Sequence, residues 1–254
     1  MATGVNNPAV ESVLSALTDT QRALFNIVGF KPHLEQARIL VCPKQFILVA
    51  GGDQAGKSLL ASKFALTRLH EVNRSQEDKR PGLYWLVAVD YMKVRAEFRY
   101  LVDDFARLGI LAEATKRVDP GYIELVDGTR FETKSAKDPR SLAMDSPDGI
   151  IVCEAAQIDF ESYMRLESRA TPRTAWMFMS GTFEGSLGWY PSLARQWAYG
   201  TAEHQSFTLP SPSNIHLYPQ GLNDPKLVRL KTITSDSFWL ERIMGIPCPP
   251  KGLV

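Results

Sequence analysis

Cysteine is scarce in this chain. Cys42, Cys153 and Cys248 are too few and too scattered for a disulfide framework, and no C-x-x-C pair offers a zinc site. Such usage is expected of a protein kept in a reducing compartment. No apolar run approaches the roughly 20 residues that span a bilayer. The opening residues, MATGVNNPAVESVLSALTD, have no basic stretch leading into an apolar one, so neither a membrane span nor a signal peptide is expected. Internal repeats and low-complexity stretches are missing. An excess of one charge is missing too: 29 Lys and Arg stand against 28 Asp and Glu, a formal net charge of +1. That balance neither demands nor excludes nucleic acid, because a net figure hides local patches. What is there is a 254-residue chain with 44% hydrophobic and 22% charged residues, enough for one large domain or a domain with a small appendage.

Along the chain, apolar residues first recur at helical spacing over 9–28 (Val10, Val13, Leu14, Leu17, Leu24, Phe25, Val28), with Thr18, Asp19 and Thr20 as an interruption or cap. A turn at Gly29 to Pro32 leads to a second short helix over His33 to Leu40. Four short runs read as buried strands: Phe46 to Ala50, Leu83 to Val89, Ile150 to Cys153 and Ala175 to Met179. Helical patterns follow them at Leu59 to Val72, Lys93 to Leu108, Phe160 to Ser168 and Leu187 to Tyr199. Tyr122 to Phe131 alternates around Asp127-Gly128, a hairpin signal. Strands alternating with helices predict an α/β fold, a mainly parallel sheet covered on both faces. After about residue 205 prolines punctuate the chain and one further helix, Ser237 to Met244, is expected. The division is therefore a core over 1–205 and a lid and linker segment over 206–254.

Gly51-Gly52-Asp53-Gln54-Ala55-Gly56-Lys57-Ser58 matches G-x-x-x-x-G-K-[ST] throughout, with a strand before it and a helix after it. Each part has a physical task. The glycines let backbone N–H groups turn toward phosphate oxygens, and the following helix presents its N-terminus to the anion. Lys57 is expected to reach the β- and γ-phosphates and Ser58 to bind Mg²⁺, which makes ATP with Mg²⁺ the expected ligand pair. A P-loop needs an acidic partner on a second strand. Glu154, just past Ile150 to Cys153, is the candidate base for an attacking water. Ser180-Gly181-Thr182, past the fourth strand, could sense the γ-phosphate or be an ordinary turn.

Taken in order, these segments resemble the ATPase domain of a large terminase, the DNA-packaging motor of tailed bacteriophages, over about residues 30–250. Phe30-Lys31-Pro32-His33 followed by Gln36 resembles the family's adenine-reading segment. Ala136-Lys137-Asp138-Pro139-Arg140-Ser141-Leu142 followed by IIVCEAAQI resembles its approach to the Walker B strand. Met179-Ser180-Gly181-Thr182 resembles its coupling motif, and Phe238-Trp239-Leu240-Glu241 with Gly245-Ile246-Pro247 the segment closing the ATPase region. The resemblance implies a P-loop NTPase fold of the RecA-like kind, ATP hydrolysis that drives double-stranded DNA into a procapsid, and Gln36 on the base. It also implies copies of the chain in a ring, a portal protein and a small terminase subunit as partners, and the host cell cytoplasm as the setting. The family's nuclease domain is not expected within these residues.

The sequence departs from the family pattern at three positions. Cys153 stands where the magnesium-side Asp is usual, Asp53 where many relatives carry an arginine, and Phe183 where proline is frequent. A thiol is a poor Mg²⁺ ligand, so the metal would rest on Ser58, water and phosphate, or on another carboxylate. Charge developing on the γ-phosphate calls for an arginine, and Arg140, in the loop before the Walker B strand, is the first candidate to supply it. For a sequence-independent grip on DNA, Arg95 and Arg99 share a predicted helix face and Arg130 and Lys134 flank the hairpin, although acids are interleaved throughout. Two rival readings remain: another P-loop DNA-dependent ATPase, and a nucleotide-binding assembly switch with weak hydrolysis, which Cys153 would suit.

Overall fold

The computed structural model describes residues 8–69, 80–171 and 175–248. The pattern over 9–28 divides into α1 (Pro8–Ser15) and α2 (Asp19–Val28), followed by α3 (Leu34–Leu40). Thr18 makes the break: its hydroxyl accepts from the Gln21 N–H at 3.1 Å, and Gln21 accepts the Thr18 N–H at 3.0 Å. That reciprocal cap is worth about 1 kcal/mol. The α/β core then runs β1 (Phe46–Gly51), α4 (Lys57–Arg68), β2 (Leu83–Ala88), α5 (Arg95–Arg107), β3 (Leu111–Ala114), β4 (Tyr122–Leu125) and β5 (Arg130–Ser135). It continues with β6 (Gly149–Val152), α6 (Phe160–Ala170), β7 (Trp176–Gly181), α7 (Trp189–Trp197) and β8 (His204–Leu209).

The eight strands form one sheet in the order β3-β4-β5-β2-β6-β7-β1-β8. All neighbours are parallel except β3–β4 and β4–β5, the hairpin end. The apolar runs are buried on both faces, and the two-residue period of a strand sorts them. Ile47 and Val49 join Phe64, Leu101 and Phe105 under α4 and α5, whereas Leu48 and Ala50 join Tyr163, Leu166 and Tyr190 under α6 and α7. Trp85, Trp176 and Phe178, expected in the core, are buried there. The fold class read from the sequence is the one observed.

Two strands carry no clear sequence signal. β3 is an exposed edge, and β8 (HQSFTL) has no apolar run yet lies parallel to β1 along its whole length. β8 crosses the expected boundary at 205/206, so the sheet runs on to Leu209. Beyond it, α8 (Pro225–Ile233), a short helical turn (Asp236–Phe238) and a π-helical turn (Trp239–Ile243) gather around a small separate core of Tyr218, Leu227, Trp239 and Ile243. The helix expected over Ser237 to Met244 is thus present one residue earlier, as a helical turn running into a π-helical one, and α8 is an additional element. Among the described residues no helix is long and apolar enough to cross a membrane.

Candidate nucleotide site

β1 ends at Gly51, and α4 begins at Lys57 without a capping side chain. Its N-cap is Gly56, in the left-handed region at φ 91°, so the first-turn N–H groups stay available for an anion. Gly52 is required for a different reason. A Cβ there would lie 2.3 Å from the Ile243 carbonyl oxygen and 2.4 Å from the Ser211 hydroxyl. The C-terminal segment is pressed onto the loop at that point. The Asp53 N–H donates to the Arg242 carbonyl at 2.5 Å, Ser211 Oγ donates to the Asp53 carbonyl at 2.5 Å, and Asn214 Nδ2 donates to the Gln54 carbonyl at 2.8 Å. Gln54 sits at φ 57°. Ala55, with no exposed surface, is the loop's inward anchor.

Lys57 is buried, and its ammonium donates to the carbonyls of Gly51 (3.2 Å) and Gly52 (2.8 Å) and to the Thr182 hydroxyl (2.8 Å). Burial lowers its pKa, against the opposing pull of Glu154 and Asp53. Thr182 Oγ1 in turn donates to the Gly51 carbonyl at 2.9 Å, which ties the end of β7 to the loop. Ser180 and Gly181 are buried in β7, level with Val49 and Ala50 of β1. Ser180-Gly181-Thr182 and the P-loop are therefore neighbours.

A cleft of about 640 Å³ opens beside Ser58, walled by Asp53, Glu154, Gln157, Thr182 and Arg242 and by Arg95, Ala96 and Arg99 of α5. Glu154 is half-buried and has a left-handed backbone, φ 49° and ψ 49°. That conformation costs a non-glycine residue about 1–3 kcal/mol and tends to mark functional positions. Arg242 enters from the π-helical turn, with its Nε 3.3 Å from Asp53 and its Nη1 3.8 Å from Glu184. Under the floor of the cleft lies Glu97 of α5, 3% exposed. The Ser58 hydroxyl and Cys153 thiol face its carboxylate, yet Oε2 makes no hydrogen bond. Burial raises the pKa of Glu97 and pushes the Cys153 thiol well above its usual range, so residue 153 stays a neutral thiol. Among the described residues no group of three His, Cys, Asp or Glu is placed to hold a metal unaided. The hydroxyl of Ser58 and the nearby carboxylates are hard oxygen donors that suit Mg²⁺ once phosphate oxygens complete the set.

On the other side of the P-loop a second cleft, about 460 Å³, is lined by Phe30, Lys31, Gln36, Gly56, Leu59 and His216, among others. Gln36 is buried, and its Oε1 accepts the His33 N–H at 3.3 Å. Its Nε2 lies against Gly56, where an added Cβ would approach to 2.9 Å. The expected base-reading residue thus reaches the end of the P-loop. His33 beside it has a pKa lowered to about 4 by burial.

Other expected residues lie elsewhere. Arg140 is on the surface, its side chain 95% exposed and loosely paired with Asp138 at 3.5 Å, and it is not among the residues that wall the cleft. Arg130 pairs with Glu124 at 2.9 Å and stacks over Tyr122, and Lys134 pairs with Glu132 at 2.8 Å and lies over Trp85. Arg95 and Arg99 face the nucleotide cleft. The four thus lie in two places, Arg95 and Arg99 at the cleft and Arg130 and Lys134 paired with acids on β5. Sequence reasoning missed Arg242 and Glu97. Arg242 carried no signal. Glu97 did: it and Asp104 occupy the apolar stripe of α5 beside Phe98, Leu101 and Phe105, and all five are buried.

Comparison with known proteins bears out the resemblance. No family profile matches the chain. A curated protein from Thermus virus P23-45, named terminase, large subunit, is 26% identical over 198 residues, 70% of this chain and 39% of that protein. The chain therefore spans about two fifths of the curated relative's length. The large terminase ATPase domain of Thermus phage P74-26 superposes with a TM-score of 0.71 at 20% identity, covering 91% of this chain and 98% of that one. The large terminase of another thermophilic bacteriophage, solved with ADP, superposes at 0.64 and 13% identity, over 84% of this chain and 53% of that one. The same terminase has been solved with ATP-γ-S. At these identities the structural likeness establishes the fold, that of a terminase ATPase domain.

Proposed function

We propose that this chain is the ATP-binding and ATP-hydrolysing motor domain of a tailed-phage large terminase. The observation that carries the reading is the convergence of Lys57, Ser58, Glu154, Thr182 and Arg242 on one cleft at the P-loop. ATP lies across the loop, with its base in the cleft beside Gln36 and its phosphates over the N-terminus of α4. Lys57 exchanges its bonds to Gly51, Gly52 and Thr182 for phosphate oxygens. The Ser58 hydroxyl, with a nearby carboxylate, would hold Mg²⁺, which would supply charge neutralisation at the phosphates. The Glu154 carboxylate orients the attacking water and accepts its proton. Arg242 provides the positive charge that the loop lacks at Asp53, and releasing it from Asp53 and Glu184 signals the γ-phosphate to the C-terminal segment. Thr182 carries the same signal to β7. Rearrangement of residues 210–248 then moves double-stranded DNA.

On this reading the working assembly is a ring of copies, with a portal protein and a small terminase subunit, in the host cell cytoplasm. Arg140, exposed and outside its own cleft, is suited to reach a neighbouring copy. The test is ATP hydrolysis over a range of protein concentrations, with and without DNA. DNA-stimulated turnover that falls by about 10²–10³-fold in Lys57→Ala is expected; equal turnover in that variant sinks the reading. The buried thiol of Cys153 favours one alternative, an assembly switch, and nucleotide binding without turnover at any concentration would select it.

A further inference from the structure

The position that should carry the metal-side carboxylate holds Cys153, and a thiol is a soft ligand poorly matched to Mg²⁺. A second carboxylate sits behind that thiol, brought there by a different element. We infer that Glu97 of α5 is the metal-side carboxylate of this nucleotide site, replacing the one that β6 lacks. The inference rests on the nucleotide-site reading above.

Three observations carry it. Glu97 is 3% exposed, faces both the Ser58 hydroxyl and the Cys153 thiol, and has an Oε2 without a hydrogen-bond partner. A buried carboxylate oxygen is costly unless a donor or a cation meets it. The same helix shows what a purely structural acid looks like. Asp104, two turns further on and equally buried, is met by Lys63 of α4, whose Nζ lies 2.6 Å from Oδ1. Glu97 has no such cation. Lys57 is close enough for its charge to act on Glu97, but its three donors go to Gly51, Gly52 and Thr182. The third observation is mechanical. The Lys63–Asp104 pair clamps α5 onto α4, so the helix that carries Ser58 and the helix that carries Glu97 hold a fixed register. A carboxylate delivered this way stands beside the Ser58 hydroxyl without any help from residue 153.

The test measures ATP-γ-S binding to the full chain by calorimetry, once with Mg²⁺ and once with EDTA. In the wild type Mg²⁺ tightens binding. Glu97→Gln, close to isosteric, is expected to lose roughly tenfold of that tightening while its affinity in EDTA stays as in the wild type. Adding Cys153→Asp to it should restore the Mg²⁺ effect, and Mn²⁺ resonance spectra of the ATP-γ-S complex should change in Glu97→Gln and revert in the double variant. A Glu97→Gln protein that keeps the full Mg²⁺ effect overturns the inference and leaves the nucleotide site standing. A wild type that binds ATP-γ-S equally well with and without Mg²⁺ also overturns it. A wild type that binds no ATP-γ-S at all overturns the nucleotide site and this inference together. Should Glu97→Gln fail to fold, Glu97→Asp carries the test: it keeps the charge but withdraws it by one methylene, so a reduced Mg²⁺ effect supports the inference and a full one overturns it.

Discussion

The two walls of the cleft are built in opposite ways. One wall is a single run, Gly51 to Ser58, between β1 and α4. The other is assembled from Arg95 and Arg99 on α5, Glu154 after β6, Thr182 after β7 and Arg242 on the π-helical turn, with Glu97 of α5 buried beside Ser58. Backbone N–H groups can cradle an anion only if consecutive residues turn together, so phosphate recognition is local in sequence. Placing charge around the reacting end has no such constraint. Any element whose end reaches the cleft can deliver a carboxylate or a guanidinium. The local wall departs from the family pattern at Asp53 and the dispersed wall at Cys153; on the readings proposed above, Arg242 and Glu97 answer those departures.

That contrast can be broken at several points. The largest effect is expected at Glu154. Glu154→Gln should lower turnover by about 10²–10⁴-fold with little change in nucleotide affinity, read by comparing kcat with an ATP-γ-S binding constant. Equal losses in both would mean that the residue holds the loop rather than the water. Next comes Arg242→Ala. If the lid arginine stands in for the one absent at position 53, kcat falls by about 10²–10³-fold; an unchanged kcat returns the role to Arg140 or another source. Because Arg242 is bound to Asp53 and Glu184, the same variant should also loosen the C-terminal segment, seen as faster hydrogen exchange over 239–246.

The smallest effect belongs to the base-side cleft and is one of stability. His33 is neutral in the folded protein down to about pH 4, because burial opposes its charge. The unfolded chain takes up that proton near pH 6.5. Between those values the unfolded state binds more protons, so stability falls as pH drops from about 6.5 to 4, by up to about 3 kcal/mol. His33→Asn should flatten that part of the stability curve relative to the wild type. Chemical denaturation at pH 7, 5.5 and 4.5 would measure it, and parallel curves for the two proteins would refute it.

Sequence reasoning read the site where chemistry is written in adjacent letters. The P-loop, the acid after IIVC and the Ser-Gly-Thr turn after β7 are each a short string at a strand end, and the fold brings all three together. It says least where a residue type carries no pattern of its own. Arg95, Arg99, Arg130 and Lys134 look alike as letters. Two of them face the nucleotide cleft, and the other two are neutralised by Glu124 and Glu132. Glu97 and Asp104 are acids on an apolar stripe that went unremarked, and the stripe alone could not say that Lys63 meets one whereas a hydroxyl and a thiol face the other. β8 escaped notice because its neighbours half-cover it, so it needs no continuous apolar run.

What the amino-acid order determined by itself is everything that depends on contacts within a few residues: a parallel α/β sheet from its buried runs, an anion-binding loop from its glycines, a capped break at Thr18. Which charges face the phosphates was decided only by tertiary structure. Strand order sets β7 between β1 and β6, the Lys63–Asp104 clamp sets α5 against α4, and the π-helical turn sets Arg242 against Asp53. Electrostatic energy depends on distance through space and on burial, and neither quantity exists until distant segments have packed.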